Sequence, residues 1–121
     1  MIRDIAGVKV LLCPDEGPCL AEYANLTVLI GELFGAGGVA LVAIPLSRLG
    51  PDFLRLSSGV AGEVLQKLVN YRFQVAILGD TAQAQAASGP LRDFVRESNR
   101  GRTVWFADDL AALEARLAGA V

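Results

Sequence analysis

One uninterrupted apolar run, Val39-Ala-Leu-Val-Ala-Ile44, constrains this chain more than any other feature. A strand with one wet face alternates apolar and polar residues. A run with no polar position reads as a strand covered on both faces, the usual state of a central strand in a parallel sheet. Pro45 has no N–H to donate to a ladder, so the strand is expected to stop there.

The segments around this run alternate between strand and helix patterns. Met1–Ile5 and Val8–Cys13 flank Ala6-Gly7 and read as a hairpin. Pro14–Pro18 is a loop. Leu26, Leu29, Ile30, Leu33 and Phe34 share one face of a helix with Asn25 as its N-cap, although the start can lie as early as Leu20. Gly35, Gly37 and Gly38 end it. Leu46–Ser58 reads as an irregular connection containing Pro51 and Phe53. A second helix is expected over Gly59–Tyr71, with Ala61, Val64, Leu65, Leu68 and Val69 inward and Glu63, Gln66, Lys67 and Asn70 outward. Gln74–Leu78 is a second buried strand ending at Gly79-Asp80, and Thr81–Ser88 a polar loop. Gly89-Pro90 opens a third helix that Asn99-Arg100-Gly101 closes, with Leu91, Phe94 and Val95 inward. Thr103–Phe106 is the last strand, with Trp105 in the core. Asp108 or Asp109 caps the closing helix of Leu110, Leu113 and Leu117, which Gly119 ends. The order β-β-α-β-α-β-α-β-α predicts a single small α/β domain built on a mostly parallel sheet of four or five strands.

Composition narrows the function classes. In 121 residues, 53% are apolar and 20% charged, which excludes disorder. The net charge is −2 and the nine arginines and two lysines form no basic run. Neither a nucleic-acid surface nor a polybasic membrane patch is expected. No apolar stretch reaches bilayer length, and the early charges with the short Val8–Cys13 segment do not make a signal peptide. The expected location is therefore the cytoplasm. No histidine occurs, which removes the usual general base and the commonest metal ligand. No catalytic residue, metal or cofactor is assigned. Cys13 and Cys19, spaced C-x5-C, match no zinc or redox motif and read as two reduced thiols.

Ligands of open parallel sheets bind beyond the strand carboxyl ends. Those ends deliver Pro45-Leu46-Ser47, Gly79-Asp80 and Ala107-Asp108. The helix start at Ser57-Ser58-Gly59 is expected on the same side, where free N–H groups suit an anion. The plainer reading is a capping serine and a turn glycine, with Gly62 present for close packing. The segment has neither the order of a phosphate loop nor a dinucleotide fingerprint. Glu63 and Lys67, at i and i+4, are expected to form a solvated ion pair. Arg96, Glu97, Arg100 and Arg102 read as surface pairing.

Pro51–Arg72, Ala76-Ile-Leu-Gly-Asp80, Leu91–Gly101 and the closing helix together resemble a bacterial family known only as a domain of unknown function, family 4180. The resemblance covers roughly residues 48 to 118 and implies no established activity. More distantly, the chain is similar to STAS domains, the anti-sigma-factor-antagonist fold. There a strand and loop lead into Ser-Ser-Gly or Ser-Thr-Gly and an Ala/Gly-rich helix. That resemblance places Ser58 at the phospho-acceptor position, with Leu56 standing where the group carries an aspartate. The expected function is a non-catalytic regulatory or protein-binding module with a phospho-switch at Ser57-Ser58-Gly59. Its partner would meet the face of Glu63, Gln66, Lys67 and Asn70, and Gly62 and Asp80 complete the candidate set. Self-association fits the mean hydropathy of +0.44. The alternative is a small-molecule or anion-binding protein, or a weak enzyme, with Ser58, Asp80 and Glu63 around a pocket at the strand ends.

Overall fold

The computed structural model describes residues 1–119. Five strands form one sheet in the order β1-β2-β3-β4-β5. They span Ile2–Ile5 (β1), Val8–Leu12 (β2), Leu41–Pro45 (β3), Gln74–Leu78 (β4) and Val104–Ala107 (β5). β1 pairs antiparallel with β2, and every other neighbouring pair is parallel. The helices are α1 (Tyr23–Ala36), α2 (Val60–Asn70), α3 (Ala82–Ala87), α4 (Gly89–Arg100) and α5 (Leu110–Gly119). This is the expected α/β order with one addition. Thr81–Ser88 is not a plain loop, because its Ala-Gln-Ala-Gln-Ala-Ala stretch winds into α3. Ala and Gln are good helix formers, and their lack of an apolar stripe hid them from a reading based on periodicity.

The hairpin turn is tight because Ile5 pairs directly with Val8. Ala6 and Gly7 both take positive φ, at 52° and 83°. That is the backbone a two-residue hairpin turn requires. Asp4 Oδ1 accepts from Gly7 N and holds the turn.

The β3 run does what its composition predicts. Leu41 and Ala43 enter one core cluster, and Val42 and Ile44 the other. β4 repeats the pattern, with Val75 and Ile77 facing one side and Ala76 the other. On the larger side lie Leu26, Leu29 and Leu33 of α1, Val64, Leu65 and Leu68 of α2, and Phe94 of α4. α5 covers the other side with Leu113 and Leu117, against Ile5, Val10 and Trp105. Ala43 and Ala76 leave room there for a helix to approach the sheet. Consecutive parallel crossovers in one direction place their helices on one face, so the chain must return beneath the sheet to cover the second.

Local details depart from expectation in α1 and in the connection 46–58. α1 starts at Tyr23 with Glu22 as N-cap and no side-chain cap. Asn25 lies inside the first turn, and its Nδ2 donates to the Cys19 carbonyl instead of capping. The helix passes through Gly35 and ends at Gly37, φ 69°. Phe34, spaced to face inward, is 58% exposed. The connection 46–58 holds two short 3₁₀ turns, Leu46–Arg48 and Leu56–Ser58, and contributes Leu49 and Phe53 to the core.

α2 ends with Arg72 N donating to Val69 O and Phe73 N donating to Leu68 O, with Arg72 at φ 67°. This is the left-handed helix end that glycine fits best. Arg72→Gly is expected to stabilise the fold by about 0.5–1 kcal/mol, read as a rise in the urea midpoint at unchanged slope.

Candidate functional site

The carboxyl ends of β2 to β5 meet the loop 13–18 and the start of α1. The Ser47 hydroxyl donates to the Asp15 carbonyl at 2.9 Å. Arg48 donates from Nε to Pro18 O and from Nη1 to Pro14 O, both at 3.0 Å. Its own carbonyl accepts from Leu20 N at 2.7 Å. The residues after Pro45 therefore tie down a segment 28 to 34 positions earlier. Arg48 is 8% exposed, one of two buried polar side chains in the described residues, with Thr81. Sequence reasoning missed Arg48, since a lone arginine carries no pattern.

Two cavities flank this loop. One of about 560 Å³ lies between the end of β2 and α1, with Cys13, Glu16, Asn25, Leu29, Glu32 and Arg48 among its walls. The other, about 480 Å³, opens over the ends of β2 to β5 beside Cys13, Pro45, Gly79, Asp108 and Asp109. Gly79 is needed in this wall, because a Cβ there would lie 2.7 Å from Leu46 Cβ.

Cys13 lines both cavities, and burial pushes its thiol up to about 11. The Arg48 charge opposes that rise, and Glu32 adds to it. The thiol is therefore protonated at neutral pH and a poor nucleophile. The folded pKa stands above the ordinary value of 9.0, so the native state holds this proton more tightly than the unfolded chain. The resulting stability is complete below pH 9 and is lost as pH rises toward 11. Wild type is expected to lose up to about 2–3 kcal/mol more than Cys13→Ala across that window, as read by denaturant titration at each pH.

The sequence-derived candidates do not gather in these cavities. Ser58, Glu63 and Asp80 line neither one. Ser58 is half-buried, and its Oγ donates to the Asp52 carbonyl at 2.8 Å and accepts from Val60 N at 3.2 Å. Ser57 is exposed. Gly59 takes φ 79° to turn the chain into α2. Asp80 Oδ1 accepts from Ala82 N and serves the start of α3. Gly62 is exposed, with nothing near the place a Cβ would occupy, so the close packing expected of it does not occur.

The other candidates lie on the outer side of α2. Glu63, Gln66 and Asn70 are exposed. Glu63 and Lys67 do not pair, because the Lys67 ammonium sits 3.4 Å over the Tyr23 ring of α1. A cation over an aromatic face replaces the local ion pair. Tyr23, Thr27, Ile30, Lys67, Asn70 and Tyr71 line a shallow groove between α1 and α2. Next to it Phe34 packs edge-on against Tyr71 and Phe73, each at 5.4 Å between ring centres. Tyr23 is 69% exposed and Tyr71 52%. At the far edge of the sheet, Arg116 lies over Trp105, whose indole N–H donates to Gly101 O. Arg100 pairs with Glu97 at 3.3 Å.

Fold and surfaces define a small α/β domain with one aromatic helix face and a loop-bounded cavity. The chain belongs to the family described as Domain of unknown function (DUF4180), whose model matches residues 5–117. No curated protein and no solved structure matches the chain. No helix among the described residues is long and apolar enough to cross a membrane.

Proposed function

We propose that the chain is a non-catalytic protein-binding module of the bacterial cytoplasm, and that its contact face is the α1–α2 surface. One observation carries this reading. Tyr23, Phe34 and Tyr71 stand exposed on one side, each braced by a neighbour from another element. Large exposed aromatics that cluster mark contact sites, and tyrosine is among the residues that dominate binding energy. Bracing reduces the side-chain entropy lost on docking. Lys67 and Asn70 lie in the groove, with Gln66 and Glu63 on the adjoining exposed surface of α2. The two free thiols are consistent with a reducing compartment.

The regulatory part of the proposal is phosphorylation of Ser58. Its support is the resemblance to STAS domains and the place of Ser58 at the start of α2. A phosphoryl group on Oγ ends its donation to the Asp52 carbonyl and puts about two negative charges beside free helix N–H groups. Ser58 precedes α2, which runs roughly 15 Å from Val60 to Asn70, so the switch would act by rearranging the 52–58 loop.

A pull-down from host lysate tests both parts, using wild type, the Tyr23→Ala/Tyr71→Ala double variant and Ser58→Glu. A protein retained by wild type and lost from the double variant supports the face. Identical recoveries from those two overturn it. Ser58→Glu recovering the same proteins as wild type removes the switch. Sedimentation of wild type against the double variant tells a second copy of the chain from a different partner.

A further inference from the structure

The cavity behind loop 13–18 lies away from the α1–α2 groove and holds a buried guanidinium with no counter-ion. Arginine stays charged at any ordinary pH. Burying a charge is unfavourable unless an opposite charge or a full set of hydrogen bonds compensates. The ion pairs among the described residues are Arg3–Glu114, Arg55–Asp52 and Arg100–Glu97, so no carboxylate reaches Arg48. Two loop carbonyls take Nε and Nη1, and Nη2 has no acceptor. Every fully buried side-chain polar atom among the described residues has a partner. The unpartnered Nη2 therefore still meets open space, and Arg48 lines the cavity.

We propose that this cavity binds a small organic monocarboxylate, with Arg48 Nη2 donating to the carboxylate and the apolar walls holding the ligand's body. Leu11, Val28 and Leu29 supply those walls. A hydrogen bond from an ionised donor to a carboxylate is roughly twice as strong as one between neutral groups. The cavity volume suits a drug-sized molecule. A single negative charge fits better than a phosphate dianion. Glu16 and Glu32, exposed residues of a wall that also carries Met1 with its ammonium, repel a dianion about twice as strongly as a monoanion. Gly17 packs its backbone against the guanidinium, where a Cβ would lie 2.7 Å from Arg48 Cζ. The side chain is therefore fixed in place before any ligand arrives. The protonated Cys13 thiol adds no competing charge. This site stands independently of the α1–α2 reading.

The test is an amide-shift NMR titration of the full chain with benzoate, phenylacetate and 4-methylpentanoate, each beside its neutral amide. The carboxylates are expected to shift signals from residues 13–18, 25–32 and 48, and to bind at least tenfold more tightly than the amides. Arg48→Lys, which keeps the charge but loses the guanidinium fork, is expected to weaken that preference while keeping a dispersed native spectrum. The proposal is overturned if no acid binds, if acid and amide bind equally, or if the shifts map to another surface. If Arg48→Lys fails to fold, the acid–amide comparison on wild type decides alone.

Discussion

Phe53→Ala is expected to destabilise the domain by about 3–5 kcal/mol, enough to remove much of the stability of a chain this size. Phe53 is 1% exposed and is the largest fully buried side chain among the described residues. It belongs to the cluster that joins α1, α2 and the sheet. It comes from a connection with no regular element around it, between the turns Leu46–Arg48 and Leu56–Ser58. Deleting the ring forfeits its transfer free energy and leaves a cavity that three packed elements cannot close. Urea unfolding followed by circular dichroism measures the loss. A change below about 1 kcal/mol would mean that the connection is not part of the core.

Arg48→Ala is expected to cost about 3 kcal/mol, from two hydrogen bonds to a charged donor and the packing of the side-chain stem. The bonds run to Pro18 and Pro14, 30 and 34 positions away in sequence. Without them, loop 14–18 keeps only the Ser47 hydroxyl at Asp15 as a side-chain tie to this segment. Amide hydrogen exchange is expected to speed up at Cys13 and Leu20, whose N–H groups flank the loop and donate to Ala43 O and Arg48 O, with α5 unaffected. Uniform acceleration across the chain would show instead that the effect is global.

These two residues mark the limit of what was legible in the amino-acid order. The sheet was readable because its central strands carry the pattern of double burial. Val39–Ile44 has no polar residue, and Gln74–Leu78 has one, at its first position. The closing helix was readable from Leu113 and Leu117 spaced four apart. Phe53 was not, because a 3₁₀-rich connection has no sustained period to count. Arg48 was not, because its partners are backbone carbonyls that only the folded topology brings near. Lys67 illustrates the same limit. The local rule pairs it with Glu63 one turn away, but α1 delivers the Tyr23 ring from forty-four positions earlier. Phe34 fitted the inward stripe of its helix and is instead an outward residue, held by Tyr71 and Phe73. Of the candidate residues, Lys67 and Asn70 are the ones the fold carries to a common groove. Ser58 and Asp80 satisfy local backbone groups.

The most direct test of the protein-binding reading is photo-crosslinking in living host cells. Tyr71→p-benzoylphenylalanine places the probe on the α1–α2 face. Ala115→p-benzoylphenylalanine places it on an exposed position of α5, on the opposite side of the sheet. The account predicts a discrete protein adduct from position 71 that is absent from position 115. Identical adducts from both positions, or none from position 71, would contradict it.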